Sequence, residues 1–376
     1  MKLFYIANAR MPSERAHAIQ IAKMSEAFIL SGTPLQLVVP KRKTLSSSIR
    51  DFYKLKADVP LIRLPVLDIY GGNRGRFWLG SFSFMLSYFF TMWVRYLRGE
   101  RGVVYTIDMD QFSIFLVAFL PFRFFIEIHD AKPRGFVFFV VFKRARGIIT
   151  INNIIKEKLC ERFHLPPEKI LVHPNGIDID FFDLAPQKKE AREKLGLSLQ
   201  KKTVVYTGQF YDWKGLDIFP AAAKQLPEIY FYLVGGSREE FSELTGISDI
   251  PENVIFAGKR PYEEMPLWLK AADALVVLGT KQNEYSYYHT SPMKLFEYLA
   301  SGGVIVAAAT PAIKDVVSEK EVFFYEPDNV DSFAVTIKQA LSEDTHSKQA
   351  FAKEAAHRFT WQKRALSILG FIKGLV

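Results

Sequence analysis

The stretch TVVYTGQFYDWKGLD, residues 203–217, contains in one run the pattern that predicts the fold of this chain. A short apolar segment with strand character ends at a glycine loop, and a helix is expected to follow that loop. A glycine at the carboxyl end of a strand lets backbone amides approach a ligand, and the next helix N-terminus attracts phosphate. Gly208 and Lys214 are therefore candidates for an anion-binding loop. An ordinary loop with a capping Asp and a surface Lys is the alternative that the motif alone leaves open. The stretch is not a Walker A loop, because the GxxxxGK[ST] spacing is absent.

The same alternation of apolar and amphipathic runs extends along the whole chain. Runs with the character of buried strands are KLFYIAN, LQLVVP, LIRLPVL, GVVYTID, RFFIEIH, GIITIN and ILVHPNG, then TVVYTG, IYFYLVGG, NVIFAG, ALVVLG and GVIVAAA. Runs such as AHAIQIAKMSEAFILSG and MPLWLKAADA have helical spacing. Strands that alternate with helices predict an α/β fold with a parallel sheet covered on both faces. Because the pattern occurs twice, two doubly wound domains are expected, 1–184 and 185–356, with a charged seam at DLAPQKKEAREKLGLSLQKK.

Bulk composition agrees with a two-domain globular protein. The chain has 376 residues, of which 49% are hydrophobic and 24% charged, and this length is comfortable for two cores. The single cysteine, Cys160, excludes an internal disulfide and suits a reducing compartment. The start MKLFYIANAR has too short an apolar run for a signal peptide and is expected to form the first buried strand.

Positive charge is concentrated in the first half of the chain. Residues 1–185 hold 26 Lys and Arg against 16 Asp and Glu, whereas the rest holds 23 against 24. This asymmetry indicates an anionic partner such as a membrane surface, a nucleic acid or a phosphorylated substrate. A merely solvated basic surface is the alternative. Helix-turn-helix and single-strand binding signatures are absent, so no nucleic-acid partner is expected.

Two apolar runs in the first half carry flanking basic residues. FWLGSFSFMLSYFFTMWV, residues 77–94, has no charged residue over a length that nominates a transmembrane helix. Its serines and its place between two predicted strands favour a buried or membrane-surface helix instead. GFVFFVVFKRAR, residues 135–146, is the second run. An apolar face edged by cations is typical of an element in a membrane interface, and a pair of buried core helices is the alternative. The flanking cations are Arg74, Arg76, Arg95, Arg98, Lys143, Arg144 and Arg146.

A second candidate site lies in HTSPMKLFEYLASGG, residues 289–303. The loop that enters a helix at 290–293 offers unpaired amides to an anion. Glu297 lies one to two turns along this helix, where a carboxylate can accept ribose hydroxyls as in dinucleotide sites. The alternative is a surface Glu297 that pairs with Lys294 at i, i+3.

Three further stretches supply candidates in the first half and at the seam. His129 ends the apolar strand of FFIEIHDAKP, where doubly wound sheets bind ligands, although a lone histidine is often structural. In ARMPSERAHAIQ, residues 9–20, Ser13 or Glu14 is expected to cap the helix that contains His17. LVHPNGIDIDFF, residues 171–182, has turn chemistry after a strand.

Two Asp-x-Asp pairs raise the question of a metal. Asp108 and Asp110 follow a predicted strand and start a helix, so capping explains them better. Asp178 and Asp180 lie in the PNGID turn. Because a hard cation needs several converging oxygens and no zinc-ligand spacing exists, no required metal is predicted.

Taken together, these stretches resemble the retaining nucleotide-sugar glycosyltransferases of the GT-B fold, glycosyltransferase family 4. The segments that carry the resemblance are PNGID, GQFYDWKG, VIFAGKRPYEEMPLWLKAADALVV and SPMKLFEYLASG. The resemblance implies two Rossmann-like domains facing across a cleft, with the donor in the second and the acceptor in the first. FTWQKRALSILGFI is similar to the family's last helix, which implies a helix over 357–376 that returns to the first domain.

The resemblance also implies roles for individual residues. Lys214 would contact the diphosphate, Glu297 would hold the ribose, and His129 would lie near the donor sugar. The remaining implied positions are the loop Ser291, Pro292, Met293 and Lys294 at the β-phosphate and donor sugar, Lys259 and Arg260 beside the base, Gly208 in the phosphate loop, and the acceptor-side loop with Ser13, Glu14 and His17. Two positions depart from the family: His289 replaces a frequent Glu, and Gln209 replaces a frequent Arg.

The expected activity is therefore a retaining, metal-independent transfer of a sugar from a nucleoside diphosphate sugar to an acceptor hydroxyl, with no cofactor required. The acceptor is expected to be a lipid-linked sugar or glycan in cell-envelope polysaccharide assembly, and the protein a peripheral one on the cytoplasmic face of an anionic membrane. A sugar-nucleotide epimerase of the same fold and a non-catalytic basic membrane adaptor are the alternatives.

Overall fold

The computed structural model describes residues 1–43, 48–68, 74–183 and 186–376. Contacts within the chain divide it into two units, Met1–Pro174 with Trp361–Val376, and Asn175–Thr360. The boundary expected from the sequence, between 184 and 185, lies outside the described residues.

The first unit is built on a seven-stranded parallel sheet with the order β3-β2-β1-β4-β5-β6-β7. Its strands read as continuous apolar runs because helices cover both faces of the sheet. The strands are β1 (Leu3–Ile6), β2 (Leu35–Pro40), β3 (Leu61–Leu64), β4 (Val103–Ile107), β5 (Arg123–Ile128), β6 (Gly147–Thr150) and β7 (Ile170–Val172). The strand order steps outward from β1 in both directions, so the carboxyl ends of β1, β4 and β5 lie side by side where such sheets bind ligands.

Among the residues that the structure describes, six α-helices connect these strands. They are α1 (Ala16–Leu30), α2 (Ile49–Tyr53), α3 (Arg74–Leu97), α4 (Gln111–Ile114), α5 (Phe136–Arg144) and α6 (Asn153–Phe163). Side-chain caps fix the start of three of them, and at α2 the Ser48 side chain accepts a hydrogen bond from the backbone N–H of Asp51. Asp110 accepts a hydrogen bond from the backbone N–H of Phe112 at α4, and Asn152 accepts one from Ile155 at α6, which is the usual function of Asp and Asn at a helix N-cap.

The second unit contains a six-stranded parallel sheet with the order β10-β9-β8-β11-β12-β13. Its strands are β8 (Lys202–Thr207), β9 (Ile229–Val234), β10 (Val254–Gly258), β11 (Ala274–Val277), β12 (Ile305–Ala308) and β13 (Phe323–Tyr325). Its helices are α7 (Ile179–Asp183), α8 (Lys188–Leu195), α9 (Ile218–Gln225), α10 (Arg238–Thr245), α11 (Met265–Ala271), α12 (Met293–Ser301), α13 (Pro311–Lys314), α14 (Val330–Ser342) and α15 (His346–Ala356). The prediction of two doubly wound α/β units is confirmed.

The last helix, α16 (Trp361–Leu375), belongs to the first unit although it follows the second in the chain. It packs against α1 and β6, and Ile368 and Ile372 on its inner face are fully buried. This arrangement confirms the predicted return of the terminal helix. The helix begins at Trp361, whereas His357–Phe359 form a single 3-10 turn of the second unit.

Helix α3 contains the uncharged run and is amphipathic rather than uniformly buried. By length and composition alone, Gly75–Leu97 could cross a membrane, and 33% of its most apolar window is buried. The inner face packs on the core of the first unit through Phe84, Met85, Tyr88 and Met92. Phe77, Trp78, Leu79, Phe82, Phe90, Val94 and Leu97 are exposed. The alternative of a wholly buried core helix therefore does not describe this segment.

Candidate functional site

The carboxyl end of β8 forms a glycine loop that two lysines approach. Gly208 has a φ of +124°, a region that favours glycine, and its N–H donates to the carbonyl of Val234 over 2.8 Å. A Cβ placed on Gly208 would lie 3.0 Å from Lys294 Nζ and 3.9 Å from Lys214 Nζ. The absence of a side chain at this position therefore leaves room for both ammonium groups beside the backbone of the loop.

Lys214 lies in the segment between the glycine loop and α9. It ends the 3-10 turn Asp212–Lys214, and its Nζ donates to the carbonyl of Gln209 over 3.0 Å. The ammonium also lies over the rings of Tyr211 and Trp213, at 4.7 and 5.3 Å from their centroids. Burial lowers the pKa of Lys214 to about 8, because removal from water disfavours the charged form.

Lys294 approaches the same loop from the first turn of α12. Its Nζ lies 3.7 Å from the centroid of the Tyr206 ring. Burial, and then the neighbouring charge of Lys214, hold the pKa of Lys294 well below its usual range, while Glu297 acts in the opposite direction. Within the described parts of the chain, neither lysine forms a salt bridge with a carboxylate. Two like charges without a paired anion form an environment in which a phosphate group would relieve their repulsion.

Glu297 lies one turn further along α12 and is almost completely buried, with 7% of its surface exposed. Its Oε1 accepts a hydrogen bond from the hydroxyl of Tyr262 over 3.1 Å. Burial raises the pKa of Glu297 to about 7, although the Tyr262 hydrogen bond and the charge of Lys294 both lower it. The alternative of a surface Glu paired with Lys294 does not describe this side chain.

The position of α12 is fixed by its contacts with β8. The Tyr298 hydroxyl accepts a hydrogen bond from the N–H of Thr207 over 3.0 Å, and Phe296 packs edge-on against Phe359. Tyr298 and Phe296 thus hold the helix in place, with Lys294 beside Gly208 at the end of β8 and Glu297 against Tyr262. Pro292 is the N-cap of α12 and Met293 its first residue, and the first amides of a helix lack intrahelical acceptors.

The loop before α12 is joined to the PNGID turn. The N–H of Asn175 donates to Ser291 Oγ over 3.2 Å, and Asn175 Nδ2 donates to the Ser291 carbonyl over 2.9 Å. The Oδ1 atom of Asn175 is buried and has no hydrogen-bond partner among the described residues. Sequence reasoning treated Asn175 as part of a plain turn, and only its place in the PNGID motif indicated a further role.

The two positions that depart from the family pattern carry no equivalent chemistry. His289 ends a short π-helix, Tyr285–His289, and its Nε2 lies 4.0 Å from Glu284 Oε1. Gln209 is exposed, and its Oε1 accepts a hydrogen bond from the Tyr211 hydroxyl. Because Gln209 carries no charge, the second cation at this loop besides Lys214 is Lys294, whose Nζ lies beside Gly208.

Lys259 and Arg260 follow β10 at the edge of the sheet. Lys259 forms a salt bridge with Glu240 of α10, and Arg260 Nε donates to the carbonyl of Ala257 over 2.8 Å. Both side chains are exposed. The structure joins neither residue to the lysine pair at Gly208, and their contact with a base remains a prediction.

In the first unit, titratable residues gather at the carboxyl ends of β4 and β5. His129 follows β5, and its Nε2 lies 2.6 Å from Glu127 Oε1. The His17 ring of α1 lies edge-on to it, with centroids 6.4 Å apart. Lys132 Nζ donates to Asp108 Oδ1 over 2.7 Å. Burial alone would raise the pKa of Asp108, but Lys132 and His129 outweigh it and hold the pKa at about 2. Burial lowers the pKa of His17.

The acceptor-side loop has a different local structure from the predicted one. Arg15 is the N-cap of α1 and no side chain caps the helix, so the expected cap by Ser13 or Glu14 is wrong. Ser13 Oγ instead accepts a hydrogen bond from the N–H of Arg15 over 3.2 Å, one residue outside the helix. Its backbone N–H and carbonyl both pair with the Tyr53 hydroxyl, which holds the loop against α2. Glu14 is exposed.

The Asp-x-Asp pairs are used locally. Asp110 caps α4 and also accepts hydrogen bonds from Ser81 and Ser113, while Asp108 pairs with Lys132. In the described ranges, no group of three or more His, Cys, Asp or Glu is arranged to hold a metal ion. Independence from metal stays a prediction.

Comparison with known proteins gives one matching family. Residues 187–358 match the family model described as Glycosyl transferases group 1. Among curated proteins, the chain is 27% identical to D-inositol 3-phosphate glycosyltransferase of Mycobacteroides abscessus over 57% of this chain and 48% of that protein. It is 23% identical to the uncharacterized glycosyltransferase MJ1607 of Methanocaldococcus jannaschii, over 52% and 51% of the two chains. The chain spans about half the length of these relatives.

Solved structures match over the full length of both chains. Sucrose-phosphate synthase from Thermosynechococcus elongatus has a TM-score of 0.79 at 18% identity, covering 100% of this chain and 98% of that one. Anabaena Alr3699/HepE, solved in complex with UDP, has a TM-score of 0.74 at 16% identity and covers 100% of both. These likenesses show that the chain has the GT-B fold.

Proposed function

We propose that the protein transfers a sugar from a nucleoside diphosphate sugar to an acceptor hydroxyl, a proposal supported by the match of residues 187–358 to the Glycosyl transferases group 1 family model. The observation that carries the proposal is the pair of ammonium groups of Lys214 and Lys294 at the carboxyl end of β8, with Glu297 one turn along α12. This arrangement matches the parts of a nucleoside diphosphate, since two cations suit the diphosphate and a carboxylate suits the ribose hydroxyls.

The lysine pair would act on the leaving group. During transfer, the bond between the anomeric carbon and the diphosphate oxygen breaks, and negative charge develops on that oxygen. Lys214 and Lys294 stabilise this charge from fixed positions, which is electrostatic rather than acid catalysis. The same pair can neutralise the diphosphate without a metal ion. The amides at the start of α12, at Met293 and Lys294, add further donors at the positive end of a helix.

Glu297 would recognise the ribose. With its pKa near 7, the carboxylate is only partly ionised in the empty site at neutral pH. Two ribose hydroxyls that donate to it would stabilise the ionised form, as hydrogen bonds to a charged group do. Donor binding therefore draws a proton away from Glu297.

Retention at the anomeric carbon is part of the proposal and follows from the family resemblance. The acceptor oxygen forms its bond on the face from which the diphosphate leaves, and the acceptor proton passes to a departing diphosphate oxygen. No protein nucleophile is needed in this scheme. The UDP in the Anabaena structure makes UDP-sugars the first donors to examine.

We also propose that the acceptor is a lipid-linked sugar or glycan of cell-envelope polysaccharide assembly and that the first unit meets an anionic membrane. The exposed aromatic face of α3 is accompanied by Phe136 and Phe139 of α5, which are 73% and 47% exposed. Arg144 lies over the ring of Phe119, 4.9 Å from its centroid, and Lys143 lies over Phe139. Exposed rings interleaved with cations suit the boundary between lipid headgroups and acyl chains. Such a protein would act as a peripheral enzyme on the cytoplasmic face.

A screen of nucleotide sugars by thermal unfolding tests the donor assignment. A ligand that binds the native state raises the apparent stability by mass action, so the ranked shifts rank the donors. Nucleoside diphosphates and their sugars should raise the midpoint, whereas nucleosides without phosphate should not. If no nucleoside diphosphate shifts the midpoint at millimolar concentration, the proposed function is wrong.

A further inference from the structure

A buried ion pair in the first unit fixes the environment of His129. Glu127 on β5 and Arg364 on α16 are both fully buried, at 0% exposure. Arg364 NH2 donates to Glu127 Oε1 over 2.8 Å, and NH1 donates to Oε2 over 3.2 Å. The guanidinium and the carboxylate therefore form a bidentate ion pair, a geometry that orients both groups. Arg364 Nε also donates to the carbonyl of Pro174 over 2.8 Å, which holds the guanidinium from a second side.

The ion pair keeps Glu127 ionised. Burial alone would raise the pKa of Glu127, but Arg364 and His129 outweigh it and hold the pKa well below its usual range. The hydroxyl of Tyr105 donates to Oε2, and Gln20 Nε2 donates to Oε1 over 2.9 Å. A carboxylate that already receives hydrogen bonds from three neighbours has no proton of its own to give.

It follows that His129 must donate to Glu127. The Nε2 atom lies 2.6 Å from Glu127 Oε1, and an ionised carboxylate can only accept. Gln20 Nε2 lies 3.2 Å from the same ring nitrogen. This amide nitrogen already donates to Glu127, and because an amide NH2 group only donates, it cannot accept the proton of His129. The proton is therefore on Nε2, and in the neutral ring Nδ1 carries a lone pair. No described residue bonds to Nδ1, and 10% of the side chain remains exposed.

From this geometry we propose that Glu127 and Arg364 are positioning residues that hold His129 as the Nε2–H tautomer and present Nδ1 as a hydrogen-bond acceptor for a sugar hydroxyl. The inference rests on the proposed function for the sugar, but the tautomer does not. In an oriented imidazole, the hydrogen bond made by one ring nitrogen commonly determines whether the other nitrogen carries a proton. The returning helix α16 thus contributes the group that orients a functional histidine at the end of β5, besides closing the fold.

Two-dimensional NMR of the full chain labelled with 15N-histidine tests the tautomer without any assay. The chain has 7 histidines, and His129→Gln assigns the signals of His129 by their loss. We expect a protonated, pyrrole-type Nε2 and an unprotonated, pyridine-type Nδ1 in the neutral ring. A protonated Nδ1, or an averaged mixture of the two tautomers, would overturn the proposal even if the protein proves to be a glycosyltransferase.

Kinetics with matched variants test the positioning role. Glu127→Gln should lower kcat by about tenfold or more, as is typical when a carboxylate that orients a functional imidazole is removed, while the affinity for a nucleoside diphosphate in the second unit stays the same. Tyr105→Phe removes a hydrogen bond from Oε2 only, so it serves as the control and should retain most of kcat.

Equal losses of kcat in both variants, with the His129 signals unchanged by NMR, would show that Glu127 has a structural role alone. If Glu127→Gln does not fold, the His129 tautomer measured by NMR in the natural protein tests the proposal instead. If the natural protein has no transferase activity, the proposed function fails and the tautomer assignment is judged by NMR alone.

Discussion

The ammonium groups of Lys214 and Lys294 both lie within 4 Å of the point where a Cβ on Gly208 would stand, at 3.9 and 3.0 Å. Their positive charges face each other in a partly dehydrated loop, and burial together with this repulsion lowers the pKa of Lys294. Such an arrangement does not stabilise the empty protein. It becomes favourable when an anion binds, which is why the loop carries the functional assignment.

Lys214→Ala should weaken the binding of a nucleoside diphosphate by roughly 1.5–3 kcal/mol, the range of a hydrogen bond to a charged group. Calorimetry at about pH 7 is suitable, because Lys214 has a pKa of about 8 and is mainly protonated there. Lys224→Ala is the matched control, since Lys224 is an exposed lysine of α9 that pairs with Asp249 at the surface. An unchanged affinity in Lys214→Ala would contradict the donor-site assignment.

Glu297→Gln should raise the free energy of unfolding at high pH and weaken donor binding. The folded pKa of about 7 exceeds the ordinary value of 4.5, so the protonated form stabilises the fold at low pH. That contribution is lost as the pH rises through 7. Glutamine keeps the acceptor for Tyr262 without the charge, so the variant should gain up to about 3 kcal/mol above the pKa and little at about pH 5.

The measurement for Glu297→Gln is denaturant unfolding at the two pH values, together with the KM for the donor. A stable variant with a much higher donor KM supports the ribose assignment. Loss of folding with unchanged nucleotide affinity would instead show that Glu297 is structural.

His129→Ala should lower kcat more than it changes nucleotide affinity. An interaction that is realised near the transition state affects turnover rather than ground-state binding. Steady-state kinetics combined with calorimetry separates the two quantities. His164→Ala provides a comparison, because His164 is the C-cap of α6, away from the end of β5. Normal turnover in His129→Ala would remove His129 from the proposed site.

Sedimentation with liposomes tests the membrane surface of the first unit. Binding should require anionic lipid and fall as salt screens the basic residues, each of which contributes about 1 kcal/mol near an anionic leaflet. Replacing Phe90 and Phe136 together by Ser should reduce binding, because they are 62% and 73% exposed. Val335→Ser is the control, an equally exposed apolar residue, at 65%, on α14. A protein that stays in the supernatant at low salt would contradict the membrane proposal.

Much of the fold could be predicted from the sequence because buried parallel strands are continuous apolar runs. Twelve strands were expected on this basis, and each corresponds to a strand of the structure. Strand β13, Phe323–Tyr325, was not among them. The capping of α1 was also predicted incorrectly, since Ser13 bonds to Arg15 just outside the helix, and such turns compete with helix caps.

The site was predictable only where it lies within one motif. The order of Lys294 and Glu297 along α12 follows from their spacing, whereas the approach of Lys294 to Gly208 depends on how the sheet folds. Glu127 and Arg364 are separated by 237 positions, and neither pattern nor spacing connects them. The hydrogen bonds between Asn175 and Ser291 have the same origin. Long-range polar pairs of this kind are set by tertiary packing, which a single sequence does not display.

The decisive measurement for the proposed sugar transfer is the release of nucleoside diphosphate from nucleotide sugars, with product analysis by mass spectrometry. We expect the protein to consume one class of nucleotide sugar, to release the nucleoside diphosphate in step with a glycosylated acceptor, and to lose this activity in Lys214→Ala and in Glu297→Gln. An interconversion of sugar nucleotides without release would identify an epimerase. Release that is absent with every donor, or that persists unchanged in both variants, would contradict sugar transfer at the site of Lys214 and Glu297.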